Sequence, residues 1–192
     1  MTTRTPVAGR EAGFTLVELL IVAIILAILA AIVVPQFASS TADARDSALR
    51  SNLAGIRSAI DLYNQQHSNN YPGAVASTGG TCTGGTAGTG NADTAAAFSE
   101  QLKFYSNANG QTCSIRDIDA DGTPEFPFGP YIKGDIPTNP VSEVATITVV
   151  TTGNLAMTGA GAAGGWRYDT TSGKFIADDT NTDGNGVSYD LY

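Results

Sequence analysis

Apolar positions along this chain fall into three patterns. The first is a continuous run from Phe14 to Val34 that carries one charge, Glu18, close to its amino end. A helix rising about 1.5 Å per residue over a run of that length crosses a hydrocarbon core of about 30 Å. The second is a helical stripe, Leu49, Leu53, Ile56, Ile60 and Tyr63, at steps of 4, 3, 4 and 3, with Ala42 before it and Ala59 beside it. This is the amphipathic face of a helix laid on a small domain. Asp43, Arg45, Asp46, Arg50, Arg57 and Asp61 fall between its members and are expected on the wetter sides. The two patterns predict one helix from about Phe14 to Gln66, with Pro35 kinking or melting it near residues 31–35.

The third pattern is β. The cluster Ser68, Asn69, Asn70, Tyr71, Pro72, Gly73 stops the helix. Residues 77–90, dominated by Thr and Gly, predict a flexible surface loop with little capacity to pack. Phe98, Leu102 and Tyr105 mark a short helix over 95–105. Glu143–Thr152 is rich in Val, Ile and Thr; Trp166–Tyr168 and Lys174–Ile176 flank a turn and predict a hairpin; Val187–Tyr192 alternates as an edge strand would. The expected fold class is α+β: a long amino-terminal helix, its first half transmembrane, packed by its carboxyl half against a small antiparallel sheet.

An acid inside an apolar helix costs roughly 3 kcal/mol or more unless it has a partner. Glu18 therefore awaits a cation. Ahead of the run stand Arg4 and Arg10 against Glu11, which orients the amino terminus towards the cytoplasm. No small-residue cleavage site follows the run, which ends in Val33, Val34, Pro35, Gln36 and Phe37; the small residue Gly13 precedes it.

Gly13 followed by Phe14, Thr15, Leu16, Val17 and Glu18 resembles the processing signal of the type IV pilin superfamily, which includes pilus subunits and the pseudopilins of type II secretion systems. In such a chain Glu18 is the fifth residue after cleavage and Pro35 the twenty-second. The resemblance implies that a prepilin peptidase cuts between Gly13 and Phe14 and that Phe14 is N-methylated. It also implies four parts: a cleaved leader over 1–13, a transmembrane and assembly helix over 14–35, its amphipathic continuation over 36–67, and a periplasmic or extracellular globular domain over 68–192. Cleavage would bare an amine within one turn of Glu18, and this amine can neutralise the carboxylate within one chain or between neighbours. By analogy with the family the pairing is intermolecular, and with Pro35 it belongs to assembly. Further along, Gly129–Lys133, Ile136-Pro137 and Asn139-Pro140 resemble a loop of the major pseudopilins, although that pattern has Asp and Trp where Asn139 and Val141 stand.

Charge narrows the partners. There are 10 Lys+Arg against 18 Asp+Glu, a net −8, which argues against nucleic acid. Cys82 and Cys113 are the only cysteines; in a domain outside the cytoplasm they are expected to be bridged and to tie down the Thr/Gly loop. Two acidic stretches offer calcium chemistry, because alternating oxygen ligands followed by Gly make the first half of a calcium-wrapping loop. One is Asp117, Asp119, Asp121, Gly122 and Glu125; the other is Asp179, Asn181, Asp183, Gly184 and Asp190. The family's calcium-binding carboxyl-terminal loops favour the second, and the alternative for both is a solvated turn. His67, the single histidine, is expected to be solvated or capping, Trp166, Tyr168 and Phe175 to be sheet core, and no catalytic motif is present.

These readings describe a filament subunit and no enzyme. The resemblance implies a single-pass inner-membrane protein, amino terminus cytoplasmic, that joins a helical homopolymer in the periplasm or outside the cell. Its partners would be its own copies, the prepilin peptidase, an inner-membrane assembly platform and minor pilins or pseudopilins. The major pseudopilin of a type II secretion system leads, a type IV pilus subunit for adhesion or motility follows, and a calcium-dependent binding module on a signal anchor is the alternative of another class.

Overall fold

The computed structural model describes residues 13–116, 122–161 and 164–192. The chain forms two compact units, 1–41 and 42–192, and a single helical element, α1 (Leu16–Gln66), contributes to both. In the first unit the apolar side chains of α1 are exposed, from Leu16 to Val34, as expected of a helix apolar on every side whose solvent is lipid. Among the described residues this is the one helix long and apolar enough to cross a membrane. The melting expected near Pro35 does not occur: the chain is helical through residues 31–35. Just beyond it, Ser39 Oγ donates to Gln36 O at 3.0 Å and Thr41 Oγ1 to Phe37 O at 2.8 Å, so hydroxyls supply hydrogen bonds to carbonyls in the turn that follows the proline.

In the second unit, Leu49, Leu53, Ile56, Ala59, Ile60 and Tyr63 form the spine of one core. The division into units thus falls at 41/42, within the helix, because the stripe from Leu49 onward belongs to the globular core. The helix ends where expected, and Ser68 and Asn69 take positive φ of 54° and 65°. Helix α2 (Ala95–Lys103) starts at Thr94, whose side chain accepts from Ala97 N, and buries Phe98 and Leu102 one turn apart. Strands β1 (Tyr105–Ser106) and β2 (Thr112–Cys113) make a small antiparallel hairpin.

The main sheet has the order β3 (Ile147–Val150), β4 (Trp166–Asp169), β5 (Phe175–Ala177). The β4–β5 hairpin is antiparallel as predicted, with Trp166 opposite Ala177. The β3–β4 pair is parallel, with Ile147 opposite Trp166, so the sheet is mixed rather than wholly antiparallel. The physical reason is the length of residues 151–165: a connection this long returns the chain to the end where β3 began, which a tight turn cannot do. Trp166, Tyr168 and Phe175 are core as expected, with Phe98 and Tyr168 centroids 4.1 Å apart and Trp166 and Phe175 5.2 Å apart. The predicted edge strand at 187–192 is instead a 3₁₀ turn, Tyr189–Leu191, preceded by one bridge between Thr182 and Ser188.

Two further expectations change. The Thr/Gly loop packs closely: Ser77, Gly88 and Gly90 are buried, Gly88 N donates to Thr112 O, and Ala87 bridges Cys113. A side chain at Gly88 would collide with Ser77 and Thr112, and one at Gly90 with the start of α2. Composition read as slack is here the condition for close backbone approach. His67 is not solvated but does serve the helix end: it is 1% exposed, stacked on Tyr63 at 3.8 Å, with Nδ1 bonded to Tyr63 O in the last turn of α1 and Nε2 to Ser106 Oγ, both at 3.0 Å.

Candidate assembly site

Four residues build the site at the head of α1. Gly13 and Phe14 lie in non-helical backbone immediately before the helix, and both are exposed. A built Cβ at Gly13 meets nothing within 4 Å, so among the described residues no side chain crowds Gly13. Thr15 then caps the helix and Glu18 answers it. Thr15 N donates to Glu18 Oε2 at 2.9 Å, Thr15 Oγ1 donates to the same oxygen at 2.8 Å, and Glu18 N donates to Thr15 Oγ1 at 3.2 Å. This is a reciprocal capping box, in which two helix-end donors that lack carbonyl partners are satisfied.

The chemical consequence concerns how the acid is held. Glu18 has hydrogen-bond donors from its own chain, but no cation is paired with it among the described residues. Its charge is shared with a hydroxyl and an amide, both short of the counter-charge that an apolar surrounding demands. Thr15 is the residue that the sequence reasoning passed over. Its signal was present, since Thr-x-x-Glu directly before an apolar run is the written form of a capping box. Pro35 lies within the helix, on the same unit, with the exposed apolar surface on either side of it in sequence.

Cys82 and Cys113 form the expected disulfide, 31 residues apart in sequence. Gly85 sits against it: a Cβ there would come within 2.9 Å of both sulfurs and 2.8 Å of Ile115 Cγ1. The loop beyond is gathered by Glu100 of α2, which accepts Thr89 N at 2.9 Å, Gly90 N at 3.0 Å, Thr89 Oγ1 at 2.9 Å and Ser77 Oγ. Burial raises the Glu100 carboxyl, and these donors more than reverse the effect, leaving it below its ordinary value.

Of the acidic stretches, Asp117, Asp119 and Asp121 lie outside the described residues, and Glu125 is exposed. In the second, Asp179, Asp183 and Asp190 are buried while Asn181 is exposed. Asp179 Oδ1 accepts Asn181 N at 2.9 Å, Asp190 Oδ2 accepts Gly159 N at 2.8 Å, and Asp190 Oδ1 accepts Ser188 Oγ at 2.5 Å. Asp183 takes Asn185 N and Val187 N on one oxygen, each at 2.8 Å, and the Tyr192 hydroxyl on the other at 2.6 Å. Among the described residues no three acidic, His or Cys side chains form a group able to hold a metal ion. As arranged, these carboxylate oxygens accept the chain's own N–H and O–H groups.

Comparison with known proteins addresses the amino-terminal part. The prokaryotic N-terminal methylation motif matches residues 9–34, so the processing signal expected from Gly13, Phe14 and Glu18 is present. The chain is 41% identical over 54 residues to the type II secretion system core protein G of Pseudomonas aeruginosa, covering 28% of this chain and 38% of that protein. It is 36% identical over 63 residues to core protein G of Aeromonas hydrophila, covering 33% of this chain and 43% of that protein. To the namesake of Pectobacterium carotovorum subsp. carotovorum it is likewise 36% identical over 63 residues, 33% of this chain and 40% of that protein. The chain thus spans about two fifths of the length of the curated relatives it matches. No solved structure matches it.

Proposed function

We propose that this chain is the structural subunit of a type IV-like filament, and specifically the major pseudopilin of a type II secretion system. It is a building block and performs no catalysis of its own. The observation that carries the reading is the methylation motif set on an exposed apolar run whose one acid, Glu18, has no cation paired with it among the described residues. The steps follow from that acid. A prepilin peptidase removes residues 1–13 and frees the amine of Phe14, which is then methylated. Thr15 N–H is an amide before and after this cut, so the capping box survives processing and keeps Glu18 aimed at the helix end. The acid sits in the membrane with partial satisfaction until the amine of a neighbouring subunit supplies the missing charge, and this pairing sets the register of the polymer.

Membrane anchoring comes first in this scheme, with the amino terminus cytoplasmic, and residence in a periplasmic or extracellular filament comes after extraction by an inner-membrane platform. Minor pseudopilins and further copies of the chain are the remaining partners. Two results test the reading together: mass spectrometry of sheared or purified filaments, expected to begin at N-methylated Phe14, and replacement of Glu18 by Val, expected to abolish polymer while leaving membrane insertion intact. Filaments that retain Met1, or that form at the usual yield with Glu18→Val, refute it.

The second reading, a type IV pilus subunit for adhesion or motility, is favoured by one observation, the Cys82–Cys113 bridge over the ordered Thr/Gly loop, which departs from the resemblance to the major pseudopilins. Deleting the gene separates the two: loss of protein export supports the first, and loss of surface fibres with export intact supports the second. Calcium binding by Asp117, Asp119, Asp121 and Glu125 stays a proposal to be tested by calcium titration of the full chain.

A further inference from the structure

The acidic loop over 178–190 and the residues flanking it are fastened to α1 by two arginines one heptad apart. The Arg50 guanidinium stacks on the Tyr192 ring at 3.9 Å from its centroid and stands 4.0 Å from Asp183 Oδ2. Arg57 donates through Nε to Phe175 O at 2.9 Å and through Nη2 to the Tyr192 main-chain oxygen at 2.6 Å. The sequence pattern placed both on wetter sides of the helix. Arg57 is in fact half-buried, and Arg50, still exposed at its head, covers Tyr192 with its planar group.

Tyr192 is thereby held at three points: its ring by Arg50, its main chain by Arg57, and its hydroxyl by Asp183. In the loop itself every carboxylate that alternates in the calcium-like pattern already has donors from the chain. Asp183 is the centre of this, with two amides on Oδ1, and the Tyr192 hydroxyl and the Asn185 side chain on Oδ2. An ion seeking Asp183 would have to displace the tyrosine hydroxyl and approach a guanidinium of like charge.

We propose that Arg50 and Tyr192 give this loop the positive charge and the donor that calcium would otherwise give it, so that residues 178–190 keep their fold without calcium. A chain built this way depends on α1 to order the loop, and it is ordered equally in calcium-poor and calcium-rich surroundings.

The test is thermal melting of the full chain in detergent, in millimolar calcium and in EGTA, for the wild type, Asp190→Asn and Arg50→Met. A ligand present at a hundredfold its Kd raises the melting temperature of a domain this size by roughly 5 to 10 °C. The expected result is a wild type that melts alike in both buffers, and Arg50→Met melting roughly 2 to 4 °C lower in both. A calcium-dependent rise that survives Asp190→Asn places the ion elsewhere and also agrees with the proposal. A rise that Asp190→Asn abolishes overturns it, as does Arg50→Met melting like the wild type. Should Arg50→Met fail to fold, the comparison of wild type with Asp190→Asn still decides the matter. None of these outcomes touches the filament reading, which rests on Glu18.

Discussion

Glu100 is the residue whose removal tests most directly how a Thr/Gly segment comes to be ordered. Its carboxylate accepts from Thr89 twice, from Gly90 N and from Ser77 Oγ. Hydrogen bonds to a charged group contribute about 1.5–3 kcal/mol each when isolated, yet the four are not additive here. Ser77 and Gly90 also bond each other, through Ser77 Oγ to Gly90 O at 3.1 Å and Gly90 N to Ser77 Oγ at 2.9 Å, and Thr89 is exposed so that water can replace the carboxylate. Glu100→Ala should therefore cost roughly 2–3 kcal/mol in all, and Glu100→Gln, which keeps an acceptor and loses the charge, about 1 kcal/mol. At about 2–4 °C per kcal/mol the alanine variant should melt roughly 4–12 °C lower. The informative assay adds hydrogen exchange: the Gly88 amide, which donates to Thr112 O at 2.9 Å, should lose protection in Glu100→Ala and keep most of it in Glu100→Gln. If the alanine variant melts within a degree of the wild type and Gly88 stays protected, the loop is ordered by the disulfide alone and the reasoning fails.

Other expectations can be checked on the same material. Reducing Cys82–Cys113, which closes a separation of 31 residues, should cost roughly 3–4 kcal/mol on the chain-entropy account and should act more severely in Glu100→Ala than in the wild type, as a denaturant series with and without reductant will show. Burial lowers the affinity of His67 for a proton in the fold; the unfolded chain binds that proton first, so its stabilising contribution is complete above about pH 6.5 and is lost as acid is added. His67→Gln should flatten the melting profile between about pH 7 and 5, and an unchanged profile would exclude this role. Asn139 is buried, accepts Val141 N and donates to Gly165 O; Asn139→Asp sets a carboxylate against that carbonyl and should cost about 1–3 kcal/mol by chemical denaturation. Thr15→Ala removes the cap hydroxyl, about 0.5–2 kcal/mol of helix-end stability, and should lower filament yield by less than Glu18→Val does; equal yields for wild type and Glu18→Val would sink the assembly scheme.

How much of this was legible in the chain depends on the range of the interaction. Where one side chain's fate is set by its neighbours three and four positions away, pattern was sufficient: Leu49, Leu53, Ile56, Ile60 and Tyr63 are all core, and the helix ends at Gln66, just ahead of the cluster that was expected to stop it. The amino-terminal methylation motif was equally plain, because it is a contiguous run with no long-range part. Misreadings share the opposite character. Arg57 looked wet because its helical position is off the stripe, and only the arrival of Phe175 O and the Tyr192 oxygen, more than a hundred residues on, covers it. His67 looked solvated because it follows a helix, whereas its cover comes from Ser106 and Phe128. The parallel pairing of β3 with β4 depends on where residues 151–165 lead the chain, which no period reports.

The glycines make the same point from the side of composition. A run of Thr and Gly reads as disorder when entropy alone is counted, and the counting changes when a half-buried acid and a bridge are waiting at the other side. Glu100 and Cys113 both lie outside the run, and each meets its partner only because Gly85, Gly88 and Gly90 let backbone come closer than any Cβ would allow. The acidic loop repeats this logic with charges. Alternating Asp and Asn look like ligands when read alone; in the fold Asp183 also accepts the Tyr192 hydroxyl, and Arg50 lies over the Tyr192 ring. With the Tyr192 hydroxyl on Asp183, its carboxyl is held down at about 2, so the acceptor stays ionised throughout the range in which the protein would work, and the contribution it makes to the loop is lost only as pH falls below about 4 towards that value.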